Sequence, residues 1–357
     1  MVTGIKERPI PVNAGKSMDE LEGLRTQVAA ALGRSADPDW TVRRLAGHAS
    51  ARAYYRVQGP DFSVIAMVAP KDPRAEEATK GGIEAEEPFV QVQRYLRGIG
   101  VRVPAILRWD PEARVMVLED LGDRTFELAL ADSDREALYA RAVDLLAALR
   151  ARADRAPDPA CVAFRRRFDF DLLRWEMEHF REWIVGDRFD AREAERFARE
   201  ADSLCRTLDA LPKGFTHRDY QSRNLMVLPD GELAVIDFQD ALLGTHAYDL
   251  VALLRDSYVE LPLELVERLV LRYVEALREA GGPALDPETF LGEFHLQTVQ
   301  RKLKDAGRFV FIDRVKGNSS FLPYVKPSLG YVRAALSRLP ALEPLREVLA
   351  RHVPELA

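Results

Sequence analysis

The stretch Phe215–Phe238 reads FTHRDYQSRNLMVLPDGELAVIDF. Asp219 lies in its first, polar part, and Asn224 follows five positions later. Two short apolar runs then flank a Pro-Asp-Gly turn signal at 229–231. This pattern predicts two strands joined as a β-hairpin, with Asp237 at the end of the second strand.

These three polar side chains suit phosphoryl transfer. A hydroxyl that attacks a phosphate benefits from a carboxylate within hydrogen-bond reach, and Mg²⁺ prefers a few hard oxygen ligands. The spacing matches the kinase pattern His-Arg-Asp-x-x-x-x-Asn followed by Asp-Phe-Gly, with His217 at its start and Gln239 in place of the glycine. The alternative is that Asp219 and Asn224 are ordinary turn residues and that Asp237 caps a strand.

The composition indicates a globular protein with a large core. The chain has 357 residues, 47% of them hydrophobic, which is enough for two lobes. Its formal net charge is −6 and it contains no basic block, so we expect no nucleic-acid partner. The two cysteines, Cys161 and Cys205, match neither a metal-binding spacing nor a disulfide framework, which is typical of a reducing compartment.

The sequence shows no sign of a membrane span or an export signal. No apolar run reaches the roughly 18 residues that indicate a membrane helix. Residues 1–15 lack the apolar segment of a signal peptide. We therefore expect a cytoplasmic protein without a membrane partner, in which residues 1–15 form a flexible tail.

Secondary-structure patterns divide the chain into two lobes. Strands are predicted at 40–45, 54–57, 62–68, 103–109 and 114–118. After residue 122 the patterns become mostly helical. We therefore expect an N-terminal nucleotide-binding lobe over 16–121 and a helical C-terminal lobe over 122–357, which contains the catalytic loop and the substrate site.

Two features of the first lobe suit a nucleotide. The small residues at 46–53 lie between two predicted strands, and the backbone N–H groups of such a turn could cover phosphates. An apolar strand also runs into the acidic turn Glu119-Asp120-Leu121, as at a hinge between lobes whose backbone bonds an adenine edge. The alternatives are an ordinary hairpin turn and a plain linker.

Five short motifs stand out in the chain: GHAS at 47–50, LEDLGD at 118–123, HRDYQSRNLM at 217–226, IDFQDA at 236–241 and GTHAYDLVALLRDSY at 244–258. In these five motifs the chain resembles the aminoglycoside phosphotransferase family, the small-molecule branch of the protein-kinase-like fold. The last three are similar to those of bacterial kinases that phosphorylate the anomeric hydroxyl of N-acetylmuramate and N-acetylglucosamine in cell-wall recycling. The resemblance implies an α+β, bilobal fold with a small β-rich N-terminal lobe and a larger helical C-terminal lobe.

The resemblance also implies roles for individual residues, with ATP and Mg²⁺ as cofactors. Asp219 matches the catalytic base. Asn224 and Asp237 match the Mg²⁺ ligands. His217 and Asp249 match structural positions that brace the catalytic loop.

On the nucleotide side the resemblance implies a second set of contacts. Gly47 and Ser50 match the turn over the phosphates. The backbone of Glu119, Asp120 and Leu121 matches the hinge that binds adenine.

The chain departs from the kinase pattern at one position. Kinases place a lysine on the third strand to hold the α- and β-phosphates, but Met67 stands near that place here. A triphosphate needs a cationic partner beyond Mg²⁺. We hypothesise that Arg52, Arg56 or Lys71 replaces the lysine, with Arg52 as first choice.

The acceptor is expected to be a small molecule and not a protein. Asp237 and Asp249 are only twelve positions apart (249 − 237), which leaves no room for an activation loop and a peptide platform. Polar groups that could line a sugar pocket are Gln221, Arg223, Asp240, Arg255, Asp256 and Tyr258. Each of them could equally be a solvated surface residue.

A basic segment at 300–305 is open to two interpretations. Beside the pocket, it would suit an anionic acceptor group such as a lactyl carboxylate. Alternatively, it is the solvated face of a helix.

The expected function is that of an ATP-dependent kinase of the anomeric hydroxyl of an N-acetylated amino sugar. One alternative is a kinase of another small alcohol, such as an aminoglycoside or an amino alcohol. The other is a nucleotide-binding scaffold without turnover, which the missing lysine suggests. Asp219, Asn224 and Asp237 together argue against a scaffold, since a scaffold does not need all three. The sequence leaves the acceptor and the oligomeric state open.

Overall fold

The computed structural model describes residues 18–45, 52–70 and 86–357. Within them the chain forms two compact units. The first contains the described residues up to 70 and Pro104–Leu121, and the second contains residues 86–103 and Gly122–Ala357. The predicted flexible tail and the predicted sites at Gly47, Ser50 and Lys71 lie outside the described residues, and the lobe bounds inferred from the sequence stay a prediction.

The first unit is a five-stranded antiparallel sheet with one helix. The sheet has the order β1-β2-β3-β5-β4. The elements are α1 (Met18–Leu32), β1 (Thr41–Arg44), β2 (Ala53–Gln58), β3 (Ser63–Val68), β4 (Ile106–Asp110) and β5 (Val115–Glu119). Leu24 and Val28 of α1 join Val57, Val64 and Val117 in the core, because alternate residues of a strand point to the same face. All five predicted strands are confirmed, with ends shifted by a few residues.

The second unit is mostly helical. Its helices are α2 (Pro88–Gly98), α3 (Phe126–Ala129), α4 (Arg135–Arg155), α5 (Phe170–Phe180), α6 (Ala191–Ala210), α7 (His246–Leu254), α8 (Leu263–Glu279), α9 (Pro287–Lys316), α10 (Val325–Leu336) and α11 (Glu343–Ala350). A π-helical turn, Arg181–Val185, continues α5. Within the described chain, no helix has both the length and the apolar character that crossing a membrane requires.

Helix α9 is the central element of this unit. Its N-cap is Asp286, whose carboxylate accepts a hydrogen bond from the backbone N–H of Thr289 at 2.9 Å. It ends at Gly317, whose φ of 66° suits a glycine C-cap. Between these ends, its 30 residues pack against α5, α7 and α10. A helix in this position can bring residues from late in the sequence into contact with a loop that lies much earlier in the sequence.

Two short antiparallel strand pairs hold the loop that carries Asp219. The strands are β6 (Lys213–Thr216) with β9 (Leu242–Thr245), and β7 (Leu225–Val227) with β8 (Leu233–Val235). The pairing of β7 with β8 confirms the hairpin predicted from the sequence, and Gly231 supplies the positive φ (86°) of its turn. The pairing of β6 with β9 has no local sequence signal, because the two strands are separated by the whole hairpin.

Candidate active site

The predicted catalytic loop, residues 217–224, begins directly after β6 and is held by a carboxylate of α7. The Asp249 carboxylate accepts hydrogen bonds from the backbone N–H of His217 at 2.6 Å and of Arg218 at 2.9 Å. Arg218 has a φ of 77°, a left-handed conformation that is costly for a residue with a Cβ. The buried Asp249 thus stabilises a turn that the backbone would not favour alone.

His217 ties the loop to the β7–β8 hairpin. Its side chain is fully buried, and its Nδ1 accepts a hydrogen bond from the backbone N–H of Asp219 at 3.2 Å. Nε2 then carries the proton and donates to the carbonyl of Ile236 at 3.0 Å. Burial lowers the pKa of His217, although Asp249 and Asp219 oppose this. A neutral imidazole with both nitrogens in use fits the bracing role expected of this residue.

Asp219 remains accessible at the centre of the loop. Its side chain is 40% exposed, and its Oδ1 lies 3.4 Å from Nη2 of Arg301. Burial alone would raise the pKa of Asp219, but Arg301, Lys304 and Arg218 outweigh it, so the pKa lies below its ordinary value. The group is therefore an ionised carboxylate that can accept a proton from a hydroxyl.

Asn224 and Asp237 lie together at the end of the hairpin. Nδ2 of Asn224 donates to the backbone carbonyl of Asp219 at 2.9 Å and lies 3.5 Å from Oδ2 of Asp237. The Asn224 side-chain oxygen is then directed away from that carbonyl, and Gln239 Nε2 donates to Oδ1 of Asp237 at 3.0 Å. One carboxylate and one amide oxygen are the hard donors that Mg²⁺ prefers. The residues present therefore fit this ion.

Packing fixes the backbone at Asp237. Its φ is 64°, again in the left-handed region. The next residue, Phe238, is fully buried, and its ring lies 4.7 Å from that of Phe89 in α2. A buried aromatic neighbour therefore restrains the backbone next to Asp237.

Two of the predicted acceptor residues form a cluster beside the loop. The Arg223 guanidinium binds Glu127 with two hydrogen bonds, of 2.7 and 3.1 Å. It also lies 3.5 Å from the ring centroid of Tyr258 and donates to the hydroxyl of Tyr324 at 3.3 Å. Glu127 and Tyr324 are not predictable from the sequence, because neither has a local signal that links it to this loop.

Three other predicted acceptor residues hold the loop in place or flank it. Asp256 is buried, and its two oxygens accept hydrogen bonds from the backbone N–H groups of Ser222, at 2.9 Å, and Tyr258, at 3.0 Å. Gln221 is half-buried, and its N–H donates to the Asp219 carbonyl at 2.9 Å. Asp240 is half-buried and accepts from Gln239 at 3.1 Å. Asp256 is thus occupied in bracing the loop, whereas Asp240 remains partly accessible.

Arg255 is not brought to the loop by any contact of its side chain. Its guanidinium is buried and lies 5.3 Å from the ring centroid of Tyr331 in α10. Burial lowers its pKa, and it makes no hydrogen bond to the described part of the chain. Its predicted role in acceptor binding stays a prediction.

The basic segment of α9 lies in the interior. Arg301 and Lys302 are each 2% exposed, so the alternative of a solvated helix face is wrong for them. Lys302 Nζ donates to Ser257 at 2.6 Å and to Asp305 at 2.9 Å, and Lys304 Nζ lies 3.4 Å from Asp305. Burial opposes ionisation of Asp305, but these cations hold its pKa well below its usual range. The segment therefore carries more buried cations than buried anions.

The first unit contains the residues expected to contact the nucleotide. Met67, the residue predicted to stand near the place of the kinase lysine, is fully buried in β3. Arg56 is occupied, since its Nε lies 2.7 Å from Oδ2 of Asp120. Arg52 is buried directly before β2, and Lys71 lies outside the described residues.

The predicted hinge is the end of β5. Glu119 pairs with Val64 of β3, and its backbone N–H donates to the carbonyl of Ala105 at 2.9 Å. Its Oε2 accepts from the N–H of Ala105 at 3.0 Å, and Leu121 is half-buried. This segment is thus anchored on both sides within its own unit.

Comparison with known proteins identifies the family. A model of the phosphotransferase enzyme family matches residues 41–287. The chain belongs to this family. The N-acetylmuramate/N-acetylglucosamine kinase of Pseudomonas aeruginosa is 36% identical to this chain over 308 residues, which are 85% of this chain and 86% of that protein. The kinase of the same name from Neisseria meningitidis is 33% identical over 325 residues, 88% of this chain and 91% of that protein.

Solved structures of phosphotransferases share the fold. The choline kinase LicA of Streptococcus pneumoniae matches with a TM-score of 0.61 at 15% identity, over 90% of this chain and 99% of that one. A microcompartment-associated aminopropanol kinase matches with a TM-score of 0.60 at 18% identity, over 88% of this chain and 98% of that one. These matches confirm the predicted protein-kinase-like fold, and the relatives confirm the predicted family resemblance.

Proposed function

We propose that this protein is an ATP-dependent kinase of an N-acetylated amino sugar, N-acetylmuramate or N-acetylglucosamine, and that it phosphorylates the anomeric hydroxyl. The observation that carries the proposal is the connected set of Asp219, Asn224 and Asp237, in which Asn224 contacts both other residues. The choice of sugar is supported by the name of two relatives, at 36% and 33% identity over most of both chains. A kinase of this kind would act in the cytoplasm, where ATP is available, and would serve cell-wall recycling.

The geometry suggests how the residues act. Asp219 accepts the proton of the acceptor hydroxyl, whose oxygen bonds to the γ-phosphorus. The bond from that phosphorus to the β,γ-bridging oxygen breaks, and ADP leaves with the electron pair. Asn224 and Asp237 would hold Mg²⁺, which would supply positive charge to offset the negative charge of the phosphates. No covalent enzyme intermediate is needed, because catalysis rests on positioning and electrostatics.

The nucleotide contacts are proposed for residues of the first unit. Arg52 is proposed as the cation for the phosphates, since Met67 is apolar and Arg56 already pairs with Asp120. The backbone of Glu119–Leu121 is proposed to bind adenine. Gly47 and Ser50 are proposed to contact the phosphates, on the strength of the sequence alone.

The acceptor is proposed to bind beside Arg223. The Arg223 guanidinium is fixed by Glu127 and by the faces of Tyr258 and Tyr324. Its other N–H groups therefore point in a defined direction. Sugars are recognised by such fixed polar groups next to aromatic walls. Gln221 and Asp240, half-buried near the same loop, would supply further contacts to hydroxyls.

The test is a ³¹P NMR assay with ATP, Mg²⁺ and a panel of N-acetylmuramate, N-acetylglucosamine, an aminoglycoside and an amino alcohol. A new sugar 1-phosphate signal with either amino sugar supports the proposal and ranks the two. A phosphate ester on a different alcohol alone would replace it with the corresponding kinase. ATP binding without transfer to any acceptor would favour a scaffold.

A further inference from the structure

Helix α9 places a buried arginine directly on the catalytic loop. Arg301 is 82 positions from Asp219 in the sequence, and its side chain is only 3% exposed. Nη1 donates to the backbone carbonyl of Arg218 at 2.7 Å. Nη2 lies 3.4 Å from Oδ1 of Asp219. One planar group therefore contacts both the backbone before Asp219 and its carboxylate.

The guanidinium is itself held in a fixed place. Its carbon lies 4.6 Å from the ring centroid of Tyr248, which is buried in α7. Its Nε lies 4.0 Å from Asp305, one turn further along α9. Because an arginine fork is rigid, anchoring it on one side fixes the direction of its donors on the other. The helical core thus determines where the Arg218 carbonyl must point.

This carbonyl belongs to a residue under backbone strain. The left-handed conformation of Arg218 (φ 77°) brings its Cβ too close to the backbone and is therefore unfavourable. Two contacts offset it from opposite sides, since Asp249 accepts from the Arg218 N–H and Arg301 donates to the Arg218 carbonyl. The next residue is Asp219, so the clamped peptide sets the direction of its side chain.

The contact also distinguishes the two carboxylate oxygens of Asp219. Oδ1 faces Arg301, whereas Oδ2 accepts no hydrogen bond within residues 18–45, 52–70 and 86–357. The side chain is 40% exposed, and Oδ2 is its oxygen that is not engaged by Arg301. With Oδ1 held, the carboxylate cannot turn freely to present either oxygen.

We infer that Arg301 is a positioning residue of the transfer reaction, which clamps the Arg218 peptide and orients the Asp219 carboxylate so that Oδ2 meets the acceptor hydroxyl. The assignment rests on the proposed function, because it gives Asp219 the role of base. Helix α9 would then contribute to catalysis through Arg301, a residue that is not part of the loop motif.

Lys302 provides a matched control for a purely structural role. It is the next residue of α9, it is also 2% exposed, and it also lies against Asp305. Its other hydrogen bond goes to Ser257 and not to the catalytic loop. Removing either cation weakens the same buried charge cluster, but only removal of Arg301 frees Asp219.

The experiment compares Arg301→Met, Arg301→Lys and Lys302→Met in the full chain, with kcat, KM, ATP affinity and Tm measured for each. We expect Arg301→Met to lower kcat by about 100-fold, the size of effect that a misplacement of about 1 Å can have. ATP affinity should change by less than about threefold, because the loss is in orientation and not in nucleotide binding. Arg301→Lys should recover about tenfold of the loss, since one ammonium can replace one of the two contacts. Lys302→Met should lower Tm while keeping kcat within about threefold.

A normal kcat in Arg301→Met, with a fall in Tm like that of Lys302→Met, would overturn the assignment. If the wild-type protein phosphorylates neither amino sugar, the proposed function fails instead. A crystal structure of Arg301→Met then decides the positioning role separately. We expect Arg218 to leave the left-handed region or Asp219 to rotate, and an unchanged loop would overturn the inference.

Discussion

Two residues of the loop, His217 and Arg218, show how much a single side chain or backbone angle contributes to this site. The imidazole of His217 uses both nitrogens to join the Asp219 N–H to the Ile236 carbonyl. Arg218 adopts a left-handed backbone that Asp249 stabilises. Asp219 can stay accessible because its neighbours, and not its own side chain, hold the loop.

We expect Asp219→Asn to lower kcat by about 10²- to 10⁴-fold, the usual contribution of a general base. Asparagine keeps the shape of the side chain, and its oxygen can still accept from Arg301, but it cannot take up the proton. ATP affinity, measured by calorimetry, should stay nearly unchanged. Transfer at the normal rate in this variant would contradict the proposed mechanism.

The proposed role of Arg52 as the cation that binds the ATP phosphates can also be tested directly. We expect Arg52→Ala to raise the KM for ATP and to lower kcat, because the phosphates lose a cation that Met67 does not supply. Arg44→Ala, an exposed arginine of β1, is the matched control and should leave both constants unchanged. If Arg52→Ala has normal ATP kinetics, another cation holds the phosphates.

At the scale of the element, α9 brings a charged segment into the interior of the second unit. Arg301 and Lys302 have side chains that are 3% and 2% exposed, whereas Lys304 is 18% exposed. Lys304 also lowers the pKa of Asp219, although burial and Arg301 have the larger effects on that group. Lys304 is therefore the cation of this segment that an acceptor can reach most easily.

We expect Lys304→Gln to raise the KM for N-acetylmuramate about tenfold more than that for N-acetylglucosamine. The two sugars differ by a lactyl carboxylate, and a hydrogen bond to a charged group is worth about 1.5–3 kcal/mol. Steady-state kinetics with both sugars measure the difference. Lys316→Gln, an exposed position near the end of the same helix, should change neither KM. Equal changes for both sugars in Lys304→Gln would show that Lys304 does not contact the carboxylate.

At the scale of the whole molecule, a buried histidine links stability to pH. His246, at the start of α7, is 7% exposed, and its Nδ1 lies 3.2 Å from the hydroxyl of Tyr273 in α8. Burial lowers its pKa from 6.5 to about 3. The unfolded chain then binds more protons than the folded one below pH 6.5, so stability falls as the pH falls toward about 3.

The lowered pKa of His246 predicts how the free energy of unfolding of His246→Gln depends on pH. At pH 5 the shifted pKa corresponds to about 2 kcal/mol in the free energy of unfolding. The loss of stability between pH 7 and pH 5, measured by denaturant unfolding, should therefore be smaller in the variant than in the wild type. The comparison uses the difference between the two pH values, so any constant cost of the substitution cancels. The same pH difference in both proteins would show that His246 does not carry the effect.

The sequence by itself determined the features that depend on neighbours along the chain. The hairpin of β7 and β8 follows from two apolar runs around Gly231, and the loop from Asp219 to Asn224 follows from a spacing of five positions. The five strands of the first unit follow from short runs of strand-forming residues between turns. Such elements can be predicted from the sequence because strand and turn preferences act over a few residues.

Only the tertiary structure decided which distant groups meet. Arg301 reaches Asp219 across 82 positions, Arg223 reaches Glu127 across 96, and Arg56 reaches Asp120 across 64. A basic run on a helix looks the same in the sequence whether it faces water or the interior. Packing decides between the two, because burying a cation is favourable only where fixed acceptors, such as the Arg218 carbonyl, are already in place.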